Sequence, residues 1–269
     1  MATAMACSSP GNLYVARLTE GWEDRTSYIR DVPAPCYTTL GGPEMSLWAS
    51  EASPEGGKDL VVVGGSKQTF VLYPDGNVAQ PYDIGEEDDV RSVDWMSPTV
   101  AVGGTRVAGS VLLWDARTRG TATRFRHSSG VTGVRGLENG SQVLVSGFRG
   151  ISLYDVRMPA LAREKRGPRT SSRPILRFPH ETQYPSTALD VLPQAGLFAV
   201  ADDYNFIHLF SLLSGKLLGT LAKSRLDKET GRINRIRMLE RDTGTASIRA
   251  SQGSVLSEWN WGGIVDDEA

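Results

Sequence analysis

The sequence predicts an all-β fold of the propeller type, and three observations lead to that prediction. Short apolar runs alternate with turns rich in Gly and Pro along the 269 residues. Two of these runs share an ending: 110–117 closes in Trp-Asp-Ala-Arg and 150–157 closes in Tyr-Asp-Val-Arg. Their aromatic residues, Trp114 and Tyr154, lie one period of about 40 residues apart, which is typical of a propeller blade built from four short strands.

The same spacing recurs on both sides of these two runs. A β-branched run, 60–65, leads into a strand that ends at Tyr73, about one period before the first aromatic residue. Later pairs of strands end at Phe210 and Trp259, the first of them after an insertion. Counting these pairs gives about six blades, of which the first and last are incomplete. We therefore expect residues 1–269 to form a single, partial β-propeller domain, part of a ring of seven blades.

The first blade is predicted to lack its innermost strand. Residues 2–6 are predicted to form one strand and 13–17 the next, which contains Tyr-Val-Ala-Arg and so parallels the Trp-Asp-Ala-Arg run. The chain would then begin inside a blade. Almost no helix is predicted, because Gly or Pro interrupts the stretches that have helical spacing.

Charged segments are predicted to lie outside the blades. Residues 159–174 interrupt the strand pattern and are basic, so we expect a mobile surface loop there. Its basic residues are Arg163, Lys165, Arg166, Arg169 and Arg173. The tail 262–269 and the run 86–89 are acidic and are expected to be solvated. The alternatives for the basic loop are contact with RNA or a nuclear import signal, although no aromatic platform for bases lies near it.

The composition argues against several function classes. The 29 basic and 31 acidic side chains nearly cancel, so net charge favours neither nucleic acid nor a membrane as partner. No apolar run reaches the ~18–20 residues that a membrane helix needs, and the first residues lack the basic region of a signal peptide. The spacing of Cys7 and Cys36 fits neither a metal site nor a disulfide framework. We expect an intracellular protein of the nucleus or cytoplasm, without metal, cofactor or small-molecule substrate.

Three residues fall where a WD repeat, the propeller unit with a Trp-Asp signature, places a buried hydrogen-bond chain. They are His127 in a loop, Ser146 on a second strand and Tyr154 on a third. Such a chain ties the strands of one blade together when its members are all bonded. The alternative, in which His127 is a base and Ser146 a nucleophile, lacks a Gly-x-Ser-x-Gly elbow around the serine. We therefore predict a structural role.

The remaining polar residues form no catalytic set in the sequence. His180 and His208 are at no metal-binding spacing with each other or with a Cys. Asp202–Asp203 fits a plain β-turn, and the Gly-Gly pairs 64–65 and 103–104 lack the Lys of a phosphate-binding loop. A propeller hydrolase would need carboxylates or histidines that converge on the central channel, and the sequence indicates no such set. It therefore predicts a protein that is not an enzyme.

Arg117 and Arg157 give the most specific indication of function in the sequence. Each closes a strand that begins in the blade interior, so both guanidinium groups are expected at the surface. Arg is enriched at the hot spots of protein interfaces, which favours a pair of arginines offered to a protein partner. The alternative is that each arginine bridges to a neighbouring blade.

The two runs also resemble a known motif. Trp114-Asp115-Ala116-Arg117 and Tyr154-Asp155-Val156-Arg157 resemble the Trp-Asp-x-Arg box of WD-repeat substrate receptors of cullin-RING ubiquitin ligases, the cullin-associated factors. The resemblance extends over 125–135 and 197–220. It implies that the chain binds the ligase adaptor through six residues: Trp114, Asp115, Arg117, Tyr154, Asp155 and Arg157.

The resemblance implies two protein partners, the ligase adaptor and an unknown substrate protein. It implies no membrane or nucleic-acid partner. Two alternatives remain: a WD-repeat scaffold of another nuclear or RNA-processing complex, and a propeller hydrolase, which the residues favour less.

Overall fold

The computed structural model describes most of the chain, and nearly all of its ordered elements are β-strands. The described residues are 2–8, 12–18, 36–39, 46–54, 60–72, 78–83, 88–118, 121–137, 140–157, 161–162, 171–183, 188–221, 232–240, 246–252 and 255–261. Within these ranges the chain forms 24 strands and one 3-10 turn. The predicted all-β class is therefore confirmed.

The N-terminal sheet has three antiparallel strands. Strand β1 (Ala2–Ser8) pairs with β2 (Asn12–Leu18), which in turn pairs with β3 (Cys36–Thr39). Strands β1 and β2 contain the two segments that the sequence predicts to be extended.

The next two sheets have four antiparallel strands each, hydrogen-bonded in chain order. The first consists of β4 (Leu47–Ala52), β5 (Val61–Gly65), β6 (Gln68–Leu72) and β7 (Val78–Asp83). The second consists of β8 (Val90–Ser97), β9 (Val100–Thr105), β10 (Ser110–Asp115) and β11 (Thr121–Arg126).

The following sheet carries an insertion before its fourth strand. Its first three strands are β12 (Val131–Gly136), β13 (Gln142–Gly147) and β14 (Gly150–Asp155). A separate two-stranded sheet, β15 (Leu161–Ala162) and β16 (Ser171–Ser172), comes next. Strand β17 (Leu176–Phe178) then pairs with β14 and completes the four-stranded sheet.

The last two sheets differ in their number of described strands. One has four: β18 (Leu189–Leu192), β19 (Leu197–Ala201), β20 (Ile207–Ser211) and β21 (Leu217–Leu221), with a 3-10 turn at Pro193–Ala195 between the first two. The other has three: β22 (Ile233–Glu240), β23 (Ala246–Gln252) and β24 (Val255–Trp261).

The second strands of the four-stranded sheets are buried on both faces, which explains their continuous apolar sequences. Val62 and Val63 of β5, Val102 of β9 and Val143 of β13 have no exposed surface. A strand covered on both faces shows a run of apolar residues, where a half-buried strand would alternate. Full burial of such a side chain stabilises the fold by about 1.5–3 kcal/mol.

Hydrophobic clusters lie between neighbouring sheets. One cluster joins Val102 and Leu113 of the β8–β11 sheet to Val134 of the β12–β17 sheet. In the same cluster the ring centroids of Phe125 and Tyr154 are 4.9 Å apart. The side-by-side packing of sheets therefore accounts for much of the core.

The first strands of five sheets surround a central channel. Strand β4 contacts β8, β8 contacts β12, and β18 contacts both β12 and β22. All five strands contribute to the lining of a space of about 740 Å³. Charged residues of its lining are Glu51, Asp94, Arg135, Asp190 and Arg237. Successive sheets are thus arranged around one axis, as the blades of a propeller are.

Within the described part of the basic segment 159–174, four residues form strands where the sequence predicts a loop. Strands β15 and β16 pair within it, so it is not irregular throughout. Ser172 is 2% exposed, and its Oγ accepts a hydrogen bond from the backbone N–H of Arg126 at 3.3 Å. The end of this segment therefore packs on β11 of the preceding sheet.

The acidic run 86–89 was expected to be solvated, and for Asp88 this is wrong. The side chain is only 7% exposed. Its carboxylate accepts hydrogen bonds from the backbone N–H groups of Val107 at 2.9 Å and Ala108 at 2.7 Å. Asp88 therefore fixes the turn between β9 and β10. Tyr73, 86–87, 163–170 and 262–269 lie outside the described residues.

Candidate protein-interaction site

Arg117 lies two residues after the end of β10, and Asp115 of the same turn holds its side chain. Its Nε donates to Oδ1 of Asp115 at 2.9 Å, and its Nη2 donates to Oδ2 at 2.6 Å. The backbone N–H of Arg117 donates to the same Oδ1 at 2.9 Å. The two planar groups therefore meet in the two-point geometry that Arg and a carboxylate form best.

Arg157 repeats this arrangement one sheet further on. Its Nε and Nη2 donate to the two carboxylate oxygens of Asp155 at 3.0 and 2.6 Å, and its backbone N–H donates at 2.9 Å. Each arginine side chain is 69% exposed. Because both follow the third strand of neighbouring sheets, Arg117 and Arg157, hereafter the arginine pair, lie at the same end of the propeller.

The electrostatics of each turn keep the ion pair charged. The hydrogen bond from Arg157 lowers the pKa of Asp155 to about 2. The hydrogen bond from Arg117 lowers the pKa of Asp115 in the same way, and each carboxylate raises the pKa of its arginine. Both pairs therefore stay ionised throughout the physiological pH range.

The aromatic residues of the two runs are buried. Trp114 is 0% exposed and Tyr154 is 3% exposed. The ring of Trp114 lies over Gly103, where a Cβ atom would come within 2.7 Å of it. Of the six residues predicted to bind an adaptor, the two aromatics can therefore only position the turn, and the arginines are the ones most open to a partner.

The predicted chain of His127, Ser146 and Tyr154 is replaced by two separate hydrogen bonds. Nδ1 of His127 lies 2.8 Å from the hydroxyl of Tyr154. The hydroxyl of Ser146 lies 3.0 Å from that of Thr132, on the neighbouring strand β12. The structure thus brings His127 and Tyr154 together and gives Ser146 a partner that the sequence did not indicate.

His127 is poorly suited to act as a base at neutral pH. Burial lowers the pKa of its imidazole to about 4, and burial raises the pKa of the Tyr154 hydroxyl to about 12. Neither group changes charge near pH 7. The pair therefore fits a structural cross-link within the sheet better than general base catalysis.

His180 and His208 lie next to each other, although nothing in the sequence paired them. Their ring centroids are 5.9 Å apart in an edge-to-face arrangement. Nε2 of His208 lies 3.0 Å from Oδ2 of Asp202, and its Nδ1 lies 3.0 Å from Oγ1 of Thr220. Burial lowers the pKa of His180 to about 4. In the described part of the chain, no group of three or more His, Cys, Asp or Glu could hold a metal ion.

Three carboxylates converge on the central channel, which the sequence did not indicate. They belong to Glu51, Asp94 and Asp190, on three different first strands. Such a set was the requirement stated for a propeller hydrolase, so the partners of these groups decide what they can do.

The partners of the channel carboxylates are arginines and backbone N–H groups. Asp190 accepts from Nε of Arg135 at 3.1 Å and from the backbone N–H of Met238 at 2.8 Å. Asp94 accepts from the backbone N–H of Gly136 at 2.8 Å. These bonds link β8 to β12, β12 to β18 and β18 to β22. The set therefore resembles an ion network that joins blades.

Comparison with known proteins gives the fold. No protein-family model matches the chain, and no curated protein matches it. Many solved chains do match. One is a WD-repeat propeller in a crystal structure of the mitotic checkpoint complex, which matches over 93% of this chain and 73% of its own length, with a TM-score of 0.62 and 16% sequence identity.

The chain has the fold of a WD-repeat β-propeller. A structural match at 16% sequence identity shows the fold but does not identify an individual function. No helix among the described residues is both long and apolar enough to cross a membrane.

Proposed function

We propose that this WD-repeat propeller is a non-enzymatic substrate receptor that links a target protein to a cullin-RING ubiquitin ligase through the ligase adaptor. The observation that carries the proposal is the arginine pair. Two neighbouring sheets present the same exposed guanidinium, in the same turn and at the same end of the ring. A repeated, outward-facing charge of this kind fits recognition by a second protein.

The geometry of each turn favours tight recognition. A free arginine loses much side-chain entropy when a partner immobilises it. Here Asp115 and Asp155 already hold the two guanidinium groups in fixed orientations. The remaining N–H groups can therefore bind an acidic or carbonyl group of the adaptor at a lower entropic cost.

Two other functions fit less well. A scaffold of another nuclear or RNA-processing complex could use the same arginine pair, and the identity of the co-purifying proteins distinguishes it. A propeller hydrolase would require free carboxylates in the channel, whereas Glu51 and Asp190 bond to arginines and Asp94 accepts a hydrogen bond from a backbone N–H. The nucleus and the cytoplasm both contain such ligases and fit the proposal.

The test is affinity purification of the tagged chain, with quantification of the adaptor and the cullin. We expect both proteins to be recovered with the unaltered chain. The double variant Arg117→Ala/Arg157→Ala should lower their recovery at least tenfold without changing the thermal unfolding midpoint. Equal recovery by the double variant would remove the arginine pair from the interface and with it the proposal.

A matched control lies at the other end of the same strand. Arg149 precedes β14 and is exposed, whereas Arg157 follows β14, so the two arginines lie at opposite ends of the propeller. Arg149→Ala removes the same charge and should leave the recovery of adaptor and cullin unchanged.

A further inference from the structure

Several arginines surround one loop at the end of the propeller opposite the arginine pair. The loop comprises residues 127–130, between β11 and β12. Arg126 ends β11, whereas Arg106 and Arg149 lie in the turns that lead into β10 and β14. The arginine pair follows β10 and β14, so these turns and the arginine pair lie at opposite ends of the propeller.

The turns of Arg106 and Arg149 meet over this loop. The backbone N–H of Arg149 donates to the hydroxyl of Ser129 at 3.2 Å. Gly130 packs so closely against the carbonyl oxygen of Arg106 that a Cβ atom would not fit there, and such an atom would lie 3.3 Å from the ring of Phe148. Arg106 and Arg149 therefore belong to segments in direct contact, although they come from different sheets.

Arg177 of β17 is a fourth arginine near the loop. The pKa of the His127 imidazole is lowered mainly by burial, and the positive charge of Arg177 lowers it further. The same charge opposes the increase that burial causes in the pKa of Tyr154. The guanidinium of Arg177 therefore lies close enough to act on the first residue of the loop. We call the four residues the four-arginine surface: Arg106, Arg126, Arg149 and Arg177.

The chain segments that form this part of the two sheets contain no acidic residue. They are 101–114, 121–137, 142–154 and 171–180, and they include seven arginines and neither Asp nor Glu. The seven are Arg106, Arg124, Arg126, Arg135, Arg149, Arg173 and Arg177.

The acidic residues that come next in the chain belong to the other end of the propeller. Asp115 and Asp155 lie at the ends of β10 and β14, where they bond to the arginine pair. Strand β12 also ends there, and the chain reaches Glu138 only after it has left the end that carries the four-arginine surface.

The acidic run 86–89, which precedes β8, is bonded to its own surroundings where the structure describes it. The carboxylate of Asp88 accepts from two backbone N–H groups of the turn that contains Arg106. The carboxylate of Asp89 bonds Arg91 at 3.0 Å. Neither carboxylate forms an ion pair with the four-arginine surface.

A full count of charge leaves the region basic. Even if the whole run 86–89, Glu181 and the channel residue Asp190 are counted, six acidic residues stand against the seven arginines and Arg91. The sequence of 163–170, between β15 and β16, adds four basic residues and one acidic residue. Positive charge therefore remains in excess.

The arginines of this surface have donors open to a partner. Arg106, Arg149 and Arg177 are exposed, and none of them forms an ion pair within the described part of the chain. The arginine pair differs, because an aspartate holds each of its members. An Arg side chain binds a carboxylate through two parallel hydrogen bonds, and clusters of Arg recognise acidic motifs.

Two observations favour an acidic protein segment over a nucleic acid. The chain as a whole carries a net charge of -2, which disfavours a long polyanion beyond this surface. Single-stranded nucleic acids stack on aromatic side chains. The exposed aromatic residues in the described part of the chain are Trp48, Tyr204 and Phe206, and none belongs to the segments around the loop.

We propose that the four-arginine surface binds an acidic segment of the substrate protein, with carboxylates of that segment bonded to guanidinium groups on both sheets. The proposal rests on the proposed receptor function and adds to it the chemistry of the substrate. Because the surface and the arginine pair lie at opposite ends, substrate and adaptor can be bound at the same time. An exposed ion pair contributes little alone, so binding should need several of the arginines and should weaken as salt is raised.

The probe is a library of random 16-residue peptides displayed on phage and selected on the full chain. We expect the enriched peptides to be rich in Asp and Glu. Synthetic copies should bind at least tenfold more weakly to Arg106→Glu and to Arg149→Glu, as measured by fluorescence anisotropy. Both side chains are exposed, so both variants should keep the thermal unfolding midpoint of the unaltered chain.

The matched control is Lys216→Glu. It reverses an exposed charge in the turn between β20 and β21, which belongs to another sheet, and it should leave peptide binding unchanged. The proposal is wrong if no acidic peptide is enriched, or if acidic peptides bind equally well to Arg106→Glu and Arg149→Glu. An equal loss in Lys216→Glu would assign the effect to net charge and would also overturn it.

A single-stranded RNA of 16 nucleotides is the second probe. If it binds more tightly than the selected peptides and loses binding in Arg106→Glu and Arg149→Glu, the surface is a nucleic-acid site and the acidic segment is wrong. We expect the RNA to bind more weakly than the peptides.

Adaptor recovery is a separate readout. Arg106→Glu/Arg149→Glu should leave it unchanged, whereas Arg117→Ala/Arg157→Ala should lower it and leave peptide binding unchanged. Failure of the ligase role and failure of the four-arginine surface are thus distinguishable.

Discussion

Oε1 of Glu51 lies 2.9 Å from Nη2 of Arg237, although 186 residues separate them in the chain. The other carboxylate oxygen of Glu51 lies 3.1 Å from Nη2 of Arg235. Glu51 is on β4 and both arginines are on β22, the first and the last of the five first strands around the channel. One carboxylate therefore joins the second described sheet of the chain to the last one.

Replacement of the Glu51 carboxylate should destabilise the propeller. We expect Glu51→Gln to lower the free energy of unfolding by about 1 kcal/mol, because hydrogen bonds to charged groups contribute modestly when the pair is partly exposed. Arg235 and Arg237 are 50% and 44% exposed, so the loss should shrink in high salt. Urea unfolding at low and high salt measures both effects.

The control for this prediction is a Glu–Arg pair that joins no distant sheets. Oε2 of Glu258 lies 3.1 Å from Nε of Arg249, on the neighbouring strand. Glu258→Gln should cost less than Glu51→Gln. An equal or larger loss would contradict a role of Glu51 in holding the ring together.

Asp94 makes stability depend on pH. Burial raises the pKa of its carboxyl from 3.8 to about 6, and Glu51 adds to the increase while Arg135 opposes it. The folded state therefore prefers the protonated acid. This preference stabilises the fold fully below about pH 4 and is lost as the pH rises through about 6.

The substitution Asp94→Asn should reveal this effect. The amide is neutral at every pH and can still accept the hydrogen bond from Gly136. We expect the variant to be more stable than the unaltered chain by up to about 3 kcal/mol at pH 8, from a pKa difference of about two units. The difference should vanish below pH 4. A variant that is less stable at pH 8 would show that attraction between Asp94 and Arg135 outweighs the desolvation of the carboxylate.

Much of the fold can be predicted from local sequence. The hydrogen bonds and ion pairs of the central channel cannot. The strands of the Trp114 and Tyr154 blades could be predicted because continuous apolar runs and turn residues recur at a fixed period. The bonds of Glu51 and Asp190 join strands far apart in sequence, and no local pattern marks which charges will meet. The same holds for His180 and His208, which become neighbours only when their strands and loops pack.

The candidate site was only partly predictable for a related reason. A closing arginine after an apolar strand indicates exposure, and both members of the arginine pair are exposed. The two-point bond to Asp115 or Asp155 depends on the turn geometry.

Gly103 shows why a Gly-Gly pair can be required without binding phosphate. A Cβ atom at this position would lie 2.7 Å from the ring of Trp114, which is too close for real contacts. We expect Gly103→Ala to lower the free energy of unfolding by about 1–3 kcal/mol through overpacking. Chemical denaturation followed by Trp fluorescence measures the loss.

Gly219 is the matched control for that substitution. It also lies on a strand, β21, and a Cβ atom there would meet nothing within 4 Å. Gly219→Ala should leave stability unchanged or raise it slightly. The explanation for Gly103 fails if both substitutions cost the same.

The carboxylate beside each member of the arginine pair should matter for partner binding. Asp155→Asn removes one charge and weakens the two-point bond, so Arg157 stays exposed but loses its fixed orientation. We expect this variant to lower adaptor recovery several-fold, less than Arg157→Ala does. Because the pKa of Asp155 is about 2, recovery by the unaltered chain should not change between pH 7 and pH 5 on account of this group.

Asp89 gives the control, since it bonds Arg91 two residues later at 3.0 Å in the same Asp-x-Arg spacing. If Asp89→Asn reduced recovery as much as Asp155→Asn, the effect would come from general loss of charge, and the fixed orientation of Arg157 would have no part in it.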